Sequence, residues 1–145
     1  MTEESNALPA GFSLHRYLID SILGAGGFGI TYRAIHEALE NQVALKEYFP
    51  AEWAYRDHDA ITVRANAQGQ IPARSGEPAC YDWGLQRFLD EAKILVQINH
   101  PCVVRVRDYF TANGSAYIVM EYEAGESLSA LLQRGGILPE NELYK

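Results

Sequence analysis

Cysteine is scarce in this chain. Cys80 and Cys102 are its two cysteines; they form no CxxC, and no histidine pair stands near them at zinc spacing. Both read as reduced thiols, so neither a disulfide framework nor a metal knot is expected. No apolar run approaches the ~18 residues of a membrane-spanning helix. The polar, acidic start (Thr2, Glu3, Glu4, Ser5, Asn6) lacks the basic and apolar regions of a signal peptide. A cytoplasmic location with no membrane span is the expectation. Positive charge is also sparse, with 12 Lys and Arg against 19 Asp and Glu for a net charge of −7. The basic residues are scattered, which excludes nucleic acid as a partner recognised by the overall field. A phosphate-bearing ligand would have to be met by a local device in a loop. Low-complexity tracts and solenoid periods are absent as well, and 145 residues suit one domain with its own core.

Residues 17–23 (YLIDSIL) are apolar and β-compatible, residues 24–29 (GAGGFG) break that pattern, and residues 30–35 (ITYRAI) resume it. After a polar connection, residues 43–49 (VALKEYF) make a third strand with one lysine among apolar neighbours. The three predict an antiparallel meander. Turn formers then accumulate over residues 50–78, which read as an insertion; within it ITVR and QIPAR can pair as a hairpin about Gln68 and Gly69. Leu85, Phe88, Leu89, Ala92, Leu95 and Val96 recur at spacings of three and four, predicting a helix from about 81 to 98. Pro101 disfavours helical geometry at His100 and stops it. VVRVRDYF and AYIVMEY flank Asn113-Gly114, the strongest short signal for a tight hairpin. Further on, SLSALLQR reads as helical, Gly135-Gly136 as its stop and Pro139 as the first turn of a last helix, inside which the chain reads as cut.

Gly24, Gly26, Gly27 and Gly29 crowd into six residues, which suits a backbone that must approach something closely. Bare N–H groups there can bind anionic oxygens. A plain tight hairpin accounts for the glycines equally well. A Walker loop would require Lys and then Ser or Thr after Gly29, where Ile30 and Thr31 stand. A dinucleotide fold would need a helix there, but Ile30, Thr31, Tyr32 and Ile35 favour a strand. On the third strand Lys46 can aim an ammonium beneath the loop; alternatively it is an edge lysine that discourages strand pairing. On the helix, Phe88, Glu91, Ala92 and Leu95 share a face. An inward Glu91 calls for a cation, either Lys46 or, at the surface, Arg87 one turn earlier.

With GAGGFGITY, VALKEYF, FLDEAKIL, INHPCVVRV and YIVMEYEAGESL in that order, the chain from about residue 17 to 145 resembles the N-terminal lobe of a protein kinase. GGFGITY, with EYFP after the lysine, is similar to a bacterial branch of Ser/Thr kinases. The resemblance implies an α+β fold, with a five-stranded antiparallel sheet and one main, αC-like helix over residues 15–122. A flexible N-terminus (1–14) would precede it, and a hinge with the first helices of a truncated C-lobe (123–145) would follow. It implies ATP as ligand, with the loop residues Gly24, Ala25, Gly26, Gly27, Phe28 and Gly29 over the phosphates. Lys46 would contact the α- and β-phosphates and Glu91 would hold Lys46. Leu23, Thr31 and Ala44 would line the adenine slot and Met120 would be the gatekeeper. Backbone groups of Glu121 and Glu123 would face the adenine edge, and Ser127 would lie on the ribose side.

Thr31 stands where the template has valine, Leu45 where it has isoleucine, and 45 positions separate Lys46 from Glu91. The long separation leaves open how the helix is held. No HRD loop and no DFG occur in the 145 residues, so the catalytic Asp and the usual Mg2+ ligands are not among them. The parent would transfer phosphate from ATP to protein Ser or Thr; this chain alone is expected to bind ATP weakly and to catalyse nothing. A non-catalytic binding module built on half a kinase is the alternative. The rest of its own kinase domain is an expected partner, and self-association is expected where that cover is missing.

Overall fold

A computed structural model describes residues 6–101 and 104–122. Eight strands and one helix follow in the order β1 (Ser13–Leu14), β2 (Tyr17–Ala25), β3 (Gly29–His36), β4 (Gln42–Tyr48), β5 (Ala54–Arg56), β6 (Val63–Ala65), α1 (Cys80–Val96), β7 (Val106–Ala112) and β8 (Ser115–Glu121). Six of the strands form one antiparallel sheet in the order β1-β2-β3-β4-β8-β7. Five were expected; the sixth is the two-residue β1, too short to leave a period in the sequence. It lies in a stretch expected to be flexible, yet Leu8 and Leu14 are buried there, and the N–H of Leu8 donates to the Tyr32 hydroxyl at 2.9 Å. Leu8 and Leu14 thus anchor this segment to the core.

Alternation gives the sheet two apolar faces. On one, Tyr32, Leu45 and Val119 stand side by side across β3, β4 and β8 and join a cluster that includes Leu8, Ala54 and Val63. On the other, Ala44, Ile118 and Met120 pack against Ala92 and Leu95 of α1, with Leu23 and Phe88 at the margin. Burying these two layers is the main drive to fold, at about 25 cal/mol per Å² of apolar surface.

The turn of β7 and β8 has positive φ at both Asn113 (57°) and Gly114 (77°), the backbone that an Asn-Gly hairpin adopts to match strand twist. The predicted helix is present and ends two residues early, at Val96. The hairpin expected about Gln68 and Gly69 is not formed. ITVR contributes β6, but β6 pairs with β5, through Ala54–Ala65, Tyr55–Arg64 and Arg56–Val63. Turn chemistry at Gln68-Gly69 lost to burial of Ala54 and Val63 against the sheet.

The insertion also starts the helix. No side chain caps α1, and unpaired N–H groups at a helix start are costly if buried. Carbonyls of the insertion fill the role: Ile71 accepts from Cys80 at 3.0 Å and Gly69 from Tyr81 at 2.9 Å. Farther along, a Cβ on Gly84 would lie 2.3 Å from the Tyr48 hydroxyl, so only glycine lets the helix approach β4 this closely.

Candidate nucleotide site

The glycine loop joins β2 to β3 and is tied down from below. The Gly26 N–H donates to the Gly29 carbonyl at 2.9 Å, and the carbonyls of Phe28 and Gly27 accept from the N–H groups of Phe49 (3.1 Å) and Ala51 (2.9 Å), just beyond β4. The N–H groups of Gly27 and Phe28 donate to no backbone carbonyl among the described residues. Cβ atoms added at Gly26 and Gly27 would meet nothing within 4 Å, and neither residue has a positive φ. The protein's own packing therefore does not require glycine at either position, whereas a ligand resting on the backbone would. Gly29 differs: a Cβ there would lie 2.6 Å from the Glu47 carbonyl and 3.6 Å from Cε of Lys46. The lysine stem thus runs directly under the loop. Two register shifts in β2, between Ile19 and Ser21 and between Ile22 and Gly24, add local twist where the strand enters the loop.

Cross-strand register lays out the rest. Thr31, Lys46 and Ile118 form one row across β3, β4 and β8, and Arg33, Ala44 and Met120 form the next on the same face. Ala44, Met120 and Thr31 are buried, and Leu23 packs against the cluster that holds Ala44 and Met120. Four predicted slot residues are thereby gathered on one face with Lys46. Lys46 lies inside the sheet, paired on both sides, which removes the edge-lysine reading.

Glu91 is on the helix flank facing this layer. Burial raises its pKa above the ordinary carboxylate value, while the ammonium of Lys46 and then the guanidinium of Arg87 pull it down. Both cations weighed from the sequence therefore act on Glu91, with Lys46 the stronger. Arg87 has a second partner, its guanidinium lying over the Trp83 ring at 5.1 Å. At the far end of β8, the Glu121 N–H donates to the Arg105 carbonyl at 3.0 Å, which takes that donor out of any ligand contact. Glu123 and Ser127, with the expected hinge and following helices, lie outside the described residues. Among the described residues no group of three potential metal ligands occurs, and no helix is long and apolar enough to cross a membrane.

One buried polar cluster was not anticipated. Glu47 is fully buried on the opposite face from Lys46, and its carboxylate receives four hydrogen bonds. Tyr32 (2.7 Å) and Arg56 Nη2 (2.8 Å) donate to Oε1; Tyr117 (2.7 Å) and Arg56 Nη1 (2.8 Å) donate to Oε2. A sequence signal existed: Glu47 follows Val43 and Leu45 at a spacing of two, which puts it among core residues.

A profile of the protein kinase domain matches residues 71–145, just over half the chain. Among relatives, the chain is 29% identical over 124 residues to serine/threonine-protein kinase ATG1c of Arabidopsis thaliana, covering 86% of this chain and 13% of the relative. It is 30% identical over 128 residues to serine/threonine-protein kinase pkn2 of Myxococcus xanthus, covering 88% and 12%. The solved structure described as the PpkA-294 apo form superposes with a TM-score of 0.74 at 31% identity, over 88% of this chain and 42% of that one. The chain thus spans less than half of each protein it is compared with. The profile, the relatives and the arrangement of glycine loop, strand lysine and helix glutamate agree: the chain belongs to the protein kinase domain family, and its described part has the fold of that family's N-terminal lobe.

Proposed function

We propose that this chain is the ATP-binding lobe of a Ser/Thr protein kinase. The single observation that carries the reading is the Lys46 stem, 3.6 Å from the Cβ that Gly29 lacks, beneath a loop in which the N–H groups of Gly27 and Phe28 donate to no backbone carbonyl among the described residues. In this reading the loop of residues 24–29 covers the phosphates, with the N–H groups of Gly27 and Phe28 taking β- and γ-phosphate oxygens, and Lys46 neutralises charge on the α- and β-phosphates. Glu91 orients Lys46. Leu23, Thr31 and Ala44 clasp the adenine, Met120 closes the back of the slot, the Glu121 carbonyl and Glu123 backbone meet the adenine edge, and Ser127 lies by the ribose.

Phosphoryl transfer depends on positioning and on charge neutralisation by metal. Mg2+ would come with the nucleotide, and these 145 residues offer no DFG to hold it and no HRD aspartate to accept the substrate proton. Transfer to protein Ser or Thr is therefore assigned to the complete parent, and purified 145-residue chain is expected to bind ATP without phosphorylating protein. Calorimetric titration of MgATP into wild type and Lys46→Met tests the reading. Wild type is expected to bind measurably and the variant at least tenfold more weakly, a loss of ~1.4 kcal/mol or more; equal affinities would refute it.

A further inference from the structure

Nucleotide binding does not explain why the carboxylate next to Lys46 is sealed from water. Successive strand residues point to opposite faces, so Glu47 lies behind the sheet, where it cannot touch a ligand held by Lys46. Its four bonds come from three separate segments: Tyr32 on β3, Tyr117 on β8 and Arg56 on β5. Arg56 is itself enclosed. Its Nε donates to the Asn6 carbonyl at 2.8 Å and its Nη1 to the Ile61 carbonyl at 3.0 Å, while the guanidinium lies 5.0 Å from the Phe49 ring centre. Just beyond β4 the same stretch of chain reaches the loop, through the Phe49 and Ala51 N–H groups, and farther on it reaches the start of α1, through the Gly69 and Ile71 carbonyls. The Glu47 carbonyl is also the atom that crowds Gly29.

We propose that Glu47 and Arg56 are positioning residues for the nucleotide site. In this role residues 50–79 form a brace that holds the β4 end, the glycine loop and the helix carrying Glu91 in one geometry. The proposal rests on the ATP reading above. A bidentate guanidinium–carboxylate pair is rigid, and lysine cannot replace it, because a single ammonium does not span both oxygens. Loosening the pair frees the β4 end, and with it the direction of Lys46 and the two bonds that seat the loop.

The test uses the 145-residue chain, with MgATP titrated into wild type, Lys46→Met, Arg56→Lys and the double variant. Amide hydrogen exchange is followed at Phe49 and Ala51. Arg56→Lys is expected to bind ATP about tenfold more weakly and to exchange faster at both amides. In the Lys46→Met background the same change is expected to cost less than in wild type, because the part that acts through Lys46 is already lost and only the loop contribution is left. Undiminished ATP affinity in Arg56→Lys, while Lys46→Met is weakened, overturns the proposal and leaves the ATP reading standing. A full additional loss in the double variant also overturns it, since that marks general destabilisation. Lys46→Met binding like wild type defeats the ATP reading itself and this inference with it. Should Arg56→Lys fail to fold, Tyr117→Phe, which removes one of the four bonds, carries the same measurements and the same criteria.

Discussion

Replacing Arg56 by methionine keeps the length of the stem and removes the guanidinium. Glu47 would then be a fully buried carboxylate left with the hydroxyls of Tyr32 and Tyr117 in place of four donors. Breaking a buried ion pair from one side costs ~3–5 kcal/mol. The two remaining tyrosine bonds put the expectation at the lower end, about 3 kcal/mol, since each hydrogen bond to a charged group offsets part of the desolvation penalty. For a domain near this size each kcal/mol moves the melting temperature by ~2–4 °C, so the midpoint should fall by roughly 6–12 °C. Thermal unfolding reads the midpoint, and urea unfolding followed by tyrosine and tryptophan fluorescence, at constant m, reads the free-energy loss. Adding Glu47→Gln to Arg56→Met removes the unpaired charge and should recover stability. A single variant within 1 kcal/mol of wild type, or a double variant no better than the single, would show that the cluster is not held as argued.

The glycines divide by the space around them. Gly27→Ala should fold with unchanged stability but bind ATP more weakly, whereas Gly29→Ala, blocked by the Glu47 carbonyl, should lose ~1–3 kcal/mol in urea unfolding as an overpacked site does; equal melting of the two speaks against the distinction. For Glu91 the sign follows from burial, which raises the folded pKa: its penalty on folding is fully present above that raised value and disappears as pH falls below the unfolded value of ~4.3. Glu91→Gln should therefore be at least as stable as wild type at neutral pH, with the advantage shrinking as pH drops through that window; an advantage that grows on acidification would contradict the assignment. Light scattering across a wide concentration range should show the chain self-associating, and strict monomer throughout would count against uncovered apolar surface.

Much of the lobe was legible because local chemistry and global fold agree there. The Asn113-Gly114 turn, the apolar stripe of the helix and the strands on either side of the glycines each carry a pattern set by neighbours in sequence. Lys46 and its face were legible for the same reason: alternation along VALKEYF and pairing with Thr31 and Ile118 follow from strand geometry. The insertion was not. Its strands β5 and β6 are three residues each, below the length at which a period can be read, and their pairing is decided by Ala54 and Val63 finding the back of the sheet. Arg56 carries no sequence signal, because its partners Glu47 and Asn6 lie 9 and 50 positions away and no local rule links them.

The β7–β8 turn has one practical consequence for anyone attaching a probe to this molecule. Tips of tight hairpins are usually the first choice for grafting a dye or an affinity epitope. Here the tip is tied to its neighbours: a Cβ on Gly114 would strike the Val63 carbonyl at 2.4 Å, the Val63 N–H donates to the Asn113 carbonyl, and the Tyr81 hydroxyl donates to the Gly114 carbonyl. A graft there would pry the ribbon off the sheet. The bend after β3, where Leu39 is 61% exposed, is the place that tolerates an addition.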